Sequence, residues 1–91
     1  MSSRKTALVT GAAARIGACI AETLHERDCD VVLHCNSSLD RAETLAEKLN
    51  GLRPGSAAVA QADLSSQKGI EDLASSVRAA VGRLVILVII A

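Results

Sequence analysis

The chain has 91 residues, and its ten lysines and arginines balance ten aspartates and glutamates, so the formal net charge is zero. A chain of this length forms one small domain, here over residues 1–91, and buries only about 60 to 65% of its unfolded surface. Because the charges balance, the chain has no excess positive charge that would attract nucleic acid or an anionic membrane. The longest apolar run, residues 84–91, is too short to span a bilayer, and no signal sequence opens the chain, so we expect a cytoplasmic protein.

A glycine-containing loop follows the first predicted strand, which covers about residues 5–10. The loop reads Thr10-Gly-Ala-Ala-Ala-Arg-Ile-Gly17 and leads into a predicted helix over about residues 15–27. Small residues at such a turn let backbone N–H groups approach a pyrophosphate, and the helix dipole favours the anion. The spacing differs from the usual G-x-G-x-x-G because Arg15 stands where a third glycine is expected. On the loop alone, a strand-to-helix turn without a ligand is therefore an equal alternative.

The first predicted helix carries an apolar stripe, since Ile16, Ile20 and Leu24 recur every four residues. Asp28 follows it at the place where a residue in the left-handed conformation usually ends a helix, at a cost of about 1 kcal/mol for a non-glycine residue. The second predicted strand, residues 30 to 34 or 35, is almost continuously apolar. Such a run is typical of a parallel sheet that is covered on both faces.

The remaining residues continue the alternation of helices and strands. Serines in the turn at residues 36–38 can cap a second helix, which should end at Asn50-Gly51. A weaker strand over residues 56–62 precedes a third helix that ends at Gly82. The inward positions predicted for this third helix are Ile70, Leu73, Val77 and Val81. A fourth strand, the most hydrophobic stretch of the chain, is predicted from Leu84 to Ile90.

The order β-α-β-α-β-α-β with short connections predicts an α/β fold with parallel strands and right-handed crossovers. We expect the first half of a Rossmann-like doubly wound parallel sheet, with strand order 3-2-1-4. A flavodoxin-like order, 2-1-3-4, is the main alternative. Both topologies bring the loops after the first and fourth strands to the same crevice.

Three cysteines, Cys19, Cys29 and Cys35, form an odd set without a C-x-x-C pair. A zinc site that combines them with His25 and His34 can be drawn, but the spacing matches no known zinc knuckle. We therefore expect reduced thiols that are buried or half-buried, and no metal site.

Four motifs in register resemble the N-terminal half of the short-chain dehydrogenase/reductase family. In chain order they read Thr10-Gly-x-x-x-Arg-x-Gly17, His34-Cys-Asn-Ser-Ser38, Ala62-Asp-Leu64 and Gly82-Arg-Leu-x-Ile-Leu-Val-x-x-Ala91. The arginine in place of the middle glycine and the histidine at the end of the second strand are more similar to the pteridine reductase branch than to the general family. The resemblance covers essentially the whole chain.

The resemblance implies a dinucleotide site built from three loops. The residues that it assigns to the cofactor are Thr10, Gly11, Arg15, Ile16, Gly17, His34, Asn36, Ser37, Ser38, Asp63 and Leu64. Arg15 would reach the adenosine 2′-phosphate, and Asp63 with the backbone of Leu64 would contact the adenine edge. Residue chemistry agrees, because an NAD-selective site places a carboxylate after the second strand, whereas this chain offers a cation and hydroxyl or amide groups. NADP(H), and NADPH in particular, is therefore the expected cofactor.

Each assignment also has a structural alternative. Arg15 can be a solvated residue of the first helical turn, and His34 can be a packed residue at a strand end. Ser37 or Ser38 can serve only as a helix cap, and Asp63 can be an N-terminal helix residue.

The departures from the family pattern concern catalysis and the fourth strand. The family has an aspartate near position 85 and an Asn-Asn pair before Ala91, where this chain has Val85, Ile89 and Ile90. Its catalytic serine and Tyr-x-x-x-Lys pair lie beyond the fourth strand, and these 91 residues contain no tyrosine. We therefore expect no catalytic residues here and no reduction by this chain alone. The alternative is a noncatalytic structural fragment that self-associates through the strand from Leu84 to Ile90.

Overall fold

The structure, a computed structural model, describes residues 5–12, 15–81 and 86–88. Strands and helices alternate along these residues. In chain order they are β1 (Thr6–Val9), α1 (Arg15–Glu26), β2 (Asp30–Cys35), α2 (Leu39–Leu52), β3 (Ala57–Gln61), α3 (Gln67–Val81) and β4 (Ile86–Val88). The predicted α/β class is confirmed.

The strands form one parallel sheet in the order β3-β2-β1-β4. β1 pairs with β2 from Thr6 opposite Asp30, and β2 pairs with β3 from Val31 opposite Ala57. Three residues of β4 pair with the other side of β1, starting with Ala7 opposite Ile86. A flavodoxin-like order would instead place β3 beside β1. Because the strands are parallel, the loops that follow β1, β2 and β3 leave the sheet at one edge.

The core has two aliphatic layers, one on each face of the sheet. Residues of α1 and α2 cover one face, where Leu33 of β2 and Leu49 of α2 belong to the same buried cluster. The other face is covered by α3, whose Leu73 packs with Leu8 of β1 and Val32 of β2. Val32 belongs to one layer and Leu33 to the other, so both faces of β2 are buried. This explains why the sequence of β2 is almost continuously apolar.

The buried face of α1 differs from the predicted stripe. Its buried residues are Gly17, Ala21 and His25, whereas Ile16 is 65% exposed. A Cβ atom at Gly17 would overlap the carbonyl oxygen of Gly11, which shows how closely α1 approaches the preceding turn. The predicted stripe is therefore wrong at Ile16, because the closest contact requires a residue without a side chain, whereas Leu24 packs against the buried cluster as predicted.

The same arrangement recurs where α3 begins. Gly69 is the third residue of α3, as Gly17 is of α1, and a Cβ atom there would overlap the carbonyl oxygen of Asp63. Ile70, predicted to point inward, is 53% exposed, while Leu73 is buried as predicted. The side chains of Val77 and Val81 lie outside the described residues, as do Gly82, Leu84, Val85, Ile89 and Ile90.

Of the helix ends predicted from turn chemistry, two lie at described residues, and their outcomes differ. Asp28 has a φ of 69°, which confirms the left-handed residue after α1. α2 does not end at Asn50-Gly51 but continues to Leu52, and the extended residue Arg53 follows it. The left-handed glycine of this loop is Gly55, with a φ of 75°. Gly51 lies within α2 and has the helical conformation.

Two side chains hold the loop between α2 and β3 at the amino edge of the sheet. The Oδ1 atom of Asn50 accepts hydrogen bonds from the N–H groups of Ser56 and Ala57, both at 2.9 Å, and its Nδ2 donates to the Ala57 carbonyl at 3.0 Å. Arg53 donates to the carbonyls of His25 at 3.2 Å and Cys29 at 2.6 Å. It also lies 3.3 Å from Oδ1 of Asp30. These contacts fix the entry of β3 relative to α1 and β2.

The cysteines only partly match expectation. Cys29 and Cys35 are buried, whereas Cys19 is exposed on α1, contrary to the prediction. Within the described ranges no group of three or more histidine, cysteine, aspartate or glutamate side chains is arranged to hold a metal ion. Burial raises the pKa of the Cys35 thiol, and the Glu43 carboxylate raises it further.

None of the helices in the described part of the chain has the length and apolar character that crossing a membrane requires.

Candidate functional site

The turn after β1 brings the backbone close to the start of α1. Gly11 has a φ of 64°, and Gly17 packs against its carbonyl group. The N–H group of Ala12 donates to the carbonyl of His34 at 2.9 Å, so the turn is also fastened to the end of β2. Arg15 and Ile16, the first two residues of α1, are both exposed. The positive end of the α1 dipole and a guanidinium group therefore lie beside this turn.

His34, the fifth residue of β2, is only 5% exposed. Its Nδ1 atom lies 3.2 Å from the backbone nitrogen of Gly11, and its Nε2 atom lies 2.9 Å from the carbonyl oxygen of Ala62. The ring thus joins the residues that follow β1 and β3. The prediction of a packed side chain at a strand end matches this environment.

The loop between β2 and α2 presents exposed polar side chains. Asn36, Ser37 and Ser38 are all exposed, and the carbonyl of Asn36 accepts a hydrogen bond from Nε2 of Gln61 at 2.9 Å. Ser38 occupies the N-cap position of α2, but its side chain makes no capping hydrogen bond. A shallow cavity of about 370 Å³ extends along this loop and is lined by Ser37, Ser38, Leu39, Asp40 and Arg41. Hydroxyl groups and a helix N-terminus therefore face the same open space.

Asp63 lies in the loop after β3, where its side chain is exposed and where Ser65 and Ser66 form hydrogen bonds with it. Its Oδ1 atom accepts hydrogen bonds from the N–H group of Ser65 at 2.9 Å and from its hydroxyl at 2.6 Å. These bonds hold the pKa of the Asp63 carboxyl below its usual range. Ser66 caps α3, because its Oγ accepts the N–H of Gly69 at 3.0 Å. Asp63 is therefore a turn residue and not a member of the first turn of α3.

Hydrogen bonds connect the three loops along the carboxyl edge of the sheet. The ring of His34 reaches both neighbouring loops, and the N–H of Ala62 donates to the Cys35 carbonyl at 3.0 Å. Leu64 is half-buried and packs on the cluster around Leu8. Sequence reasoning did not single out Gln61, Ser65 or Ser66. The Asp-x-Ser pattern at residues 63–65 was an available signal for the Asp63 turn.

The sequence of this chain is similar to one known protein family and to several named proteins. The sequence profile of the short chain dehydrogenase family matches residues 5–91. The chain is 47% identical over 73 residues to the uncharacterized oxidoreductase YmfI of Bacillus subtilis (strain 168), a match that covers 80% of this chain and 30% of YmfI. It is 55% identical over 60 residues to pteridine reductase 1 of Leishmania tarentolae, with 66% of this chain and 21% of that protein covered.

A third relative is more distant but covers more of the chain. Tropinone reductase-like 1 of Erythroxylum coca is 36% identical over 80 residues, which amount to 88% of this chain and 28% of that protein. The matched residues thus span less than a third of the length of each of these relatives. The family match includes the β1 turn, the end of β2 and the Asp63 loop, which are the parts that form the carboxyl edge of the sheet. The chain therefore belongs to the short chain dehydrogenase family.

Proposed function

We propose that residues 1–91 are the first half of a doubly wound dinucleotide-binding domain with strand order 3-2-1-4, and that this half binds NADP(H). The observation that carries the proposal is the cluster of three hydrogen-bonded loops at the carboxyl edge of the sheet, where parallel α/β sheets bind their ligands. The close packing of Gly17 against Gly11 fits a pyrophosphate turn, because it brings the N-terminus of α1, the positive end of the helix dipole, up to the turn.

Selectivity for the 2′-phosphate follows from the chemistry after β2. Residues 34–38 contain no carboxylate to hold a ribose 2′-hydroxyl, whereas Ser37 and Ser38 are exposed and Ser38 makes no capping bond. The exposed guanidinium of Arg15 supplies a charge-assisted donor for a phosphate. In this proposal Asn36 lies at the ribose end, the exposed Ile16 lies beside the pyrophosphate turn, and Asp63 with Leu64 contacts the adenine edge.

The cofactor, when bound, supplies a hydride, and the chain's residues bind and orient it. The oxidoreductase and reductase names of the relatives support the proposal that these residues serve an NADPH-dependent reductase of the pteridine reductase type. The 91 residues contain no tyrosine, so we propose that the family's catalytic Tyr-x-x-x-Lys pair is not among them. The proposed contribution of this chain is cofactor binding alone.

Arg15→Ala tests the 2′-phosphate assignment. Removing a hydrogen bond between charged groups should weaken NADPH binding about ten- to hundredfold. NADH affinity should stay unchanged, because NADH lacks the 2′-phosphate. Calorimetric titration of the chain with both cofactors measures the two affinities. Arg27→Ala is the matched control, since Arg27 is also exposed but lies at the opposite end of α1; equal losses in both variants would refute the assignment.

The second candidate function is self-association through β4. Among the described strands, β4 forms an edge of the sheet, with β1 on one side. A hydrophobic edge strand pairs readily with another chain. This alternative predicts a dimer or larger species of the 91-residue chain by size-exclusion chromatography with light scattering at tens of micromolar. It also predicts no heat on titration with either dinucleotide. A monodisperse monomer would exclude it.

A further inference from the structure

We propose that His34 is a positioning residue that couples the pyrophosphate turn to the adenine-side loop, and that it does so as a neutral imidazole with its proton on Nε2. The proposal rests on the function proposed above and assigns His34 a different role from Arg15. His34 would act through the two loops that it joins, without contacting the 2′-phosphate.

The two partners of the ring determine its protonation state. The N–H of Gly11 can only donate, and it points at Nδ1 from 3.2 Å, so Nδ1 must carry a lone pair. The carbonyl of Ala62 can only accept, and it lies 2.9 Å from Nε2, so Nε2 must carry the proton. Neither backbone group can switch between donating and accepting a hydrogen bond. The arrangement therefore selects one tautomer of the neutral ring.

This geometry argues against a direct contact between His34 and a phosphate. The form that would attract a phosphate is the imidazolium, in which an N–H on Nδ1 would face the N–H of Gly11. The ring is also 5% exposed, and both nitrogens already have backbone partners. A phosphate-binding role would require His34 to leave both loops.

The same contacts show what His34 controls. Gly11 is the left-handed residue of the turn, and Ala62 immediately precedes Asp63. The His34 carbonyl also accepts the N–H of Ala12 at 2.9 Å, so both the ring and the backbone of His34 hold the β1 turn. Loss of the ring would release Gly11 and Ala62 from a common support. The contacts to the pyrophosphate and to the adenine would then weaken together.

The ratio of the affinities for NADPH and NADH distinguishes a positioning role of His34 from direct binding of the 2′-phosphate. In His34→Leu, which removes both ring contacts, NADPH and NADH should weaken by a common factor of about ten, with their affinity ratio unchanged. His34→Asn should recover part of the loss, because its Oδ1 can replace Nδ1 as acceptor for Gly11. A loss confined to NADPH, as expected for Arg15→Ala, would overturn the proposal.

A second measurement needs no dinucleotide and thus distinguishes failure of this proposal from failure of the proposed cofactor. Nitrogen-15 spectra of the imidazole groups at neutral pH should show His34 protonated on Nε2 only. Hydrogen exchange of the Gly11 amide should accelerate in His34→Leu, and less in His34→Asn. An imidazolium, the opposite tautomer, or unchanged exchange in a folded His34→Leu chain would refute the coupling. If His34→Leu does not fold, the wild-type spectra and His34→Asn decide.

His25→Gln is the matched control. His25 is also buried, at 3% exposure, but its Nε2 lies 2.7 Å from Oγ of Ser56 at the opposite edge of the sheet. Its loss should lower global stability without selectively accelerating exchange at Gly11. Equal acceleration in both variants would show that His34 acts only through global stability and would overturn its positioning role.

Discussion

Gly17→Ala should be among the most damaging single-methyl changes in this chain, lowering the free energy of unfolding by about 3 kcal/mol. The new Cβ would overlap the carbonyl oxygen of Gly11 and approach its carbonyl carbon, and these are backbone atoms that cannot rotate away. α1 must therefore shift from the sheet, which disturbs the turn after β1 and the core beneath Ala21. Since small domains have only about 5 kcal/mol of stability, about 2 kcal/mol should remain, and the unfolded fraction of the variant should rise to roughly a few per cent.

Urea unfolding followed by circular dichroism measures this effect. Gly51→Ala is the matched control, because nothing lies within 4 Å of a Cβ atom at that position of α2. Alanine is the better helix former there, so the control should be stabilised by up to about 1 kcal/mol. If Gly17→Ala unfolded at the same urea concentration as the wild type, the close approach of α1 to the turn would be wrong.

Asn50→Ala should also have a large effect, a loss of about 2 to 3 kcal/mol in the free energy of unfolding. The change removes the acceptor for the N–H groups of Ser56 and Ala57 and the donor to the Ala57 carbonyl. Because the site is partly buried, water replaces these bonds incompletely. The start of β3 should loosen, and with it the pairing of Ala57 opposite Val31.

Two further variants separate the hydrogen bonds of Asn50 from a general effect of asparagine removal. Asn50→Asp keeps an acceptor for the two N–H groups but turns a carboxylate oxygen towards the Ala57 carbonyl, so its loss should be intermediate. Asn36→Ala, at an exposed side chain, should stay within about 0.5 kcal/mol of the wild type. Equal midpoints of Asn50→Ala and Asn36→Ala in urea would contradict the role of Asn50.

The alternation of strands and helices could be predicted because its signals are local. The apolar run of β2 lies within six consecutive residues, and the left-handed position of Asp28 depends only on the helix end before it. The helix faces were harder to predict. At Gly17 and Gly69 the closest contact belongs to a residue with no side chain, and Ile16 and Ile70 beside them are exposed. A prediction from periodicity favours large apolar side chains, so it assigned Ile16 and Ile70 to the buried faces instead of the glycines beside them.

The candidate site could be located from sequence but its internal connections could not. The motifs identified the three loops, because parallel strands bring their carboxyl ends to one edge. The partners of the His34 ring are 23 and 28 residues away in sequence, and nothing local specifies them. Asn50, predicted to end α2, lies within the helix, and its side chain instead bonds to the entry of β3. The ligand contacts of Arg15, Asn36, Ser37, Ser38, Asp63 and Leu64 stay predictions.

The exposed thiol of Cys19 gives this molecule a natural attachment point for a fluorophore. Cys29 and Cys35 are buried, so a maleimide dye should label the folded chain at Cys19 in preference to the other two. Cys19 follows Arg15 by four residues on α1, which places both on one side of the helix, one turn apart. A dye at that position would sense a change in charge or crowding at the start of α1. Binding of the proposed dinucleotide should then be visible in the emission of the native sequence, without any engineered cysteine.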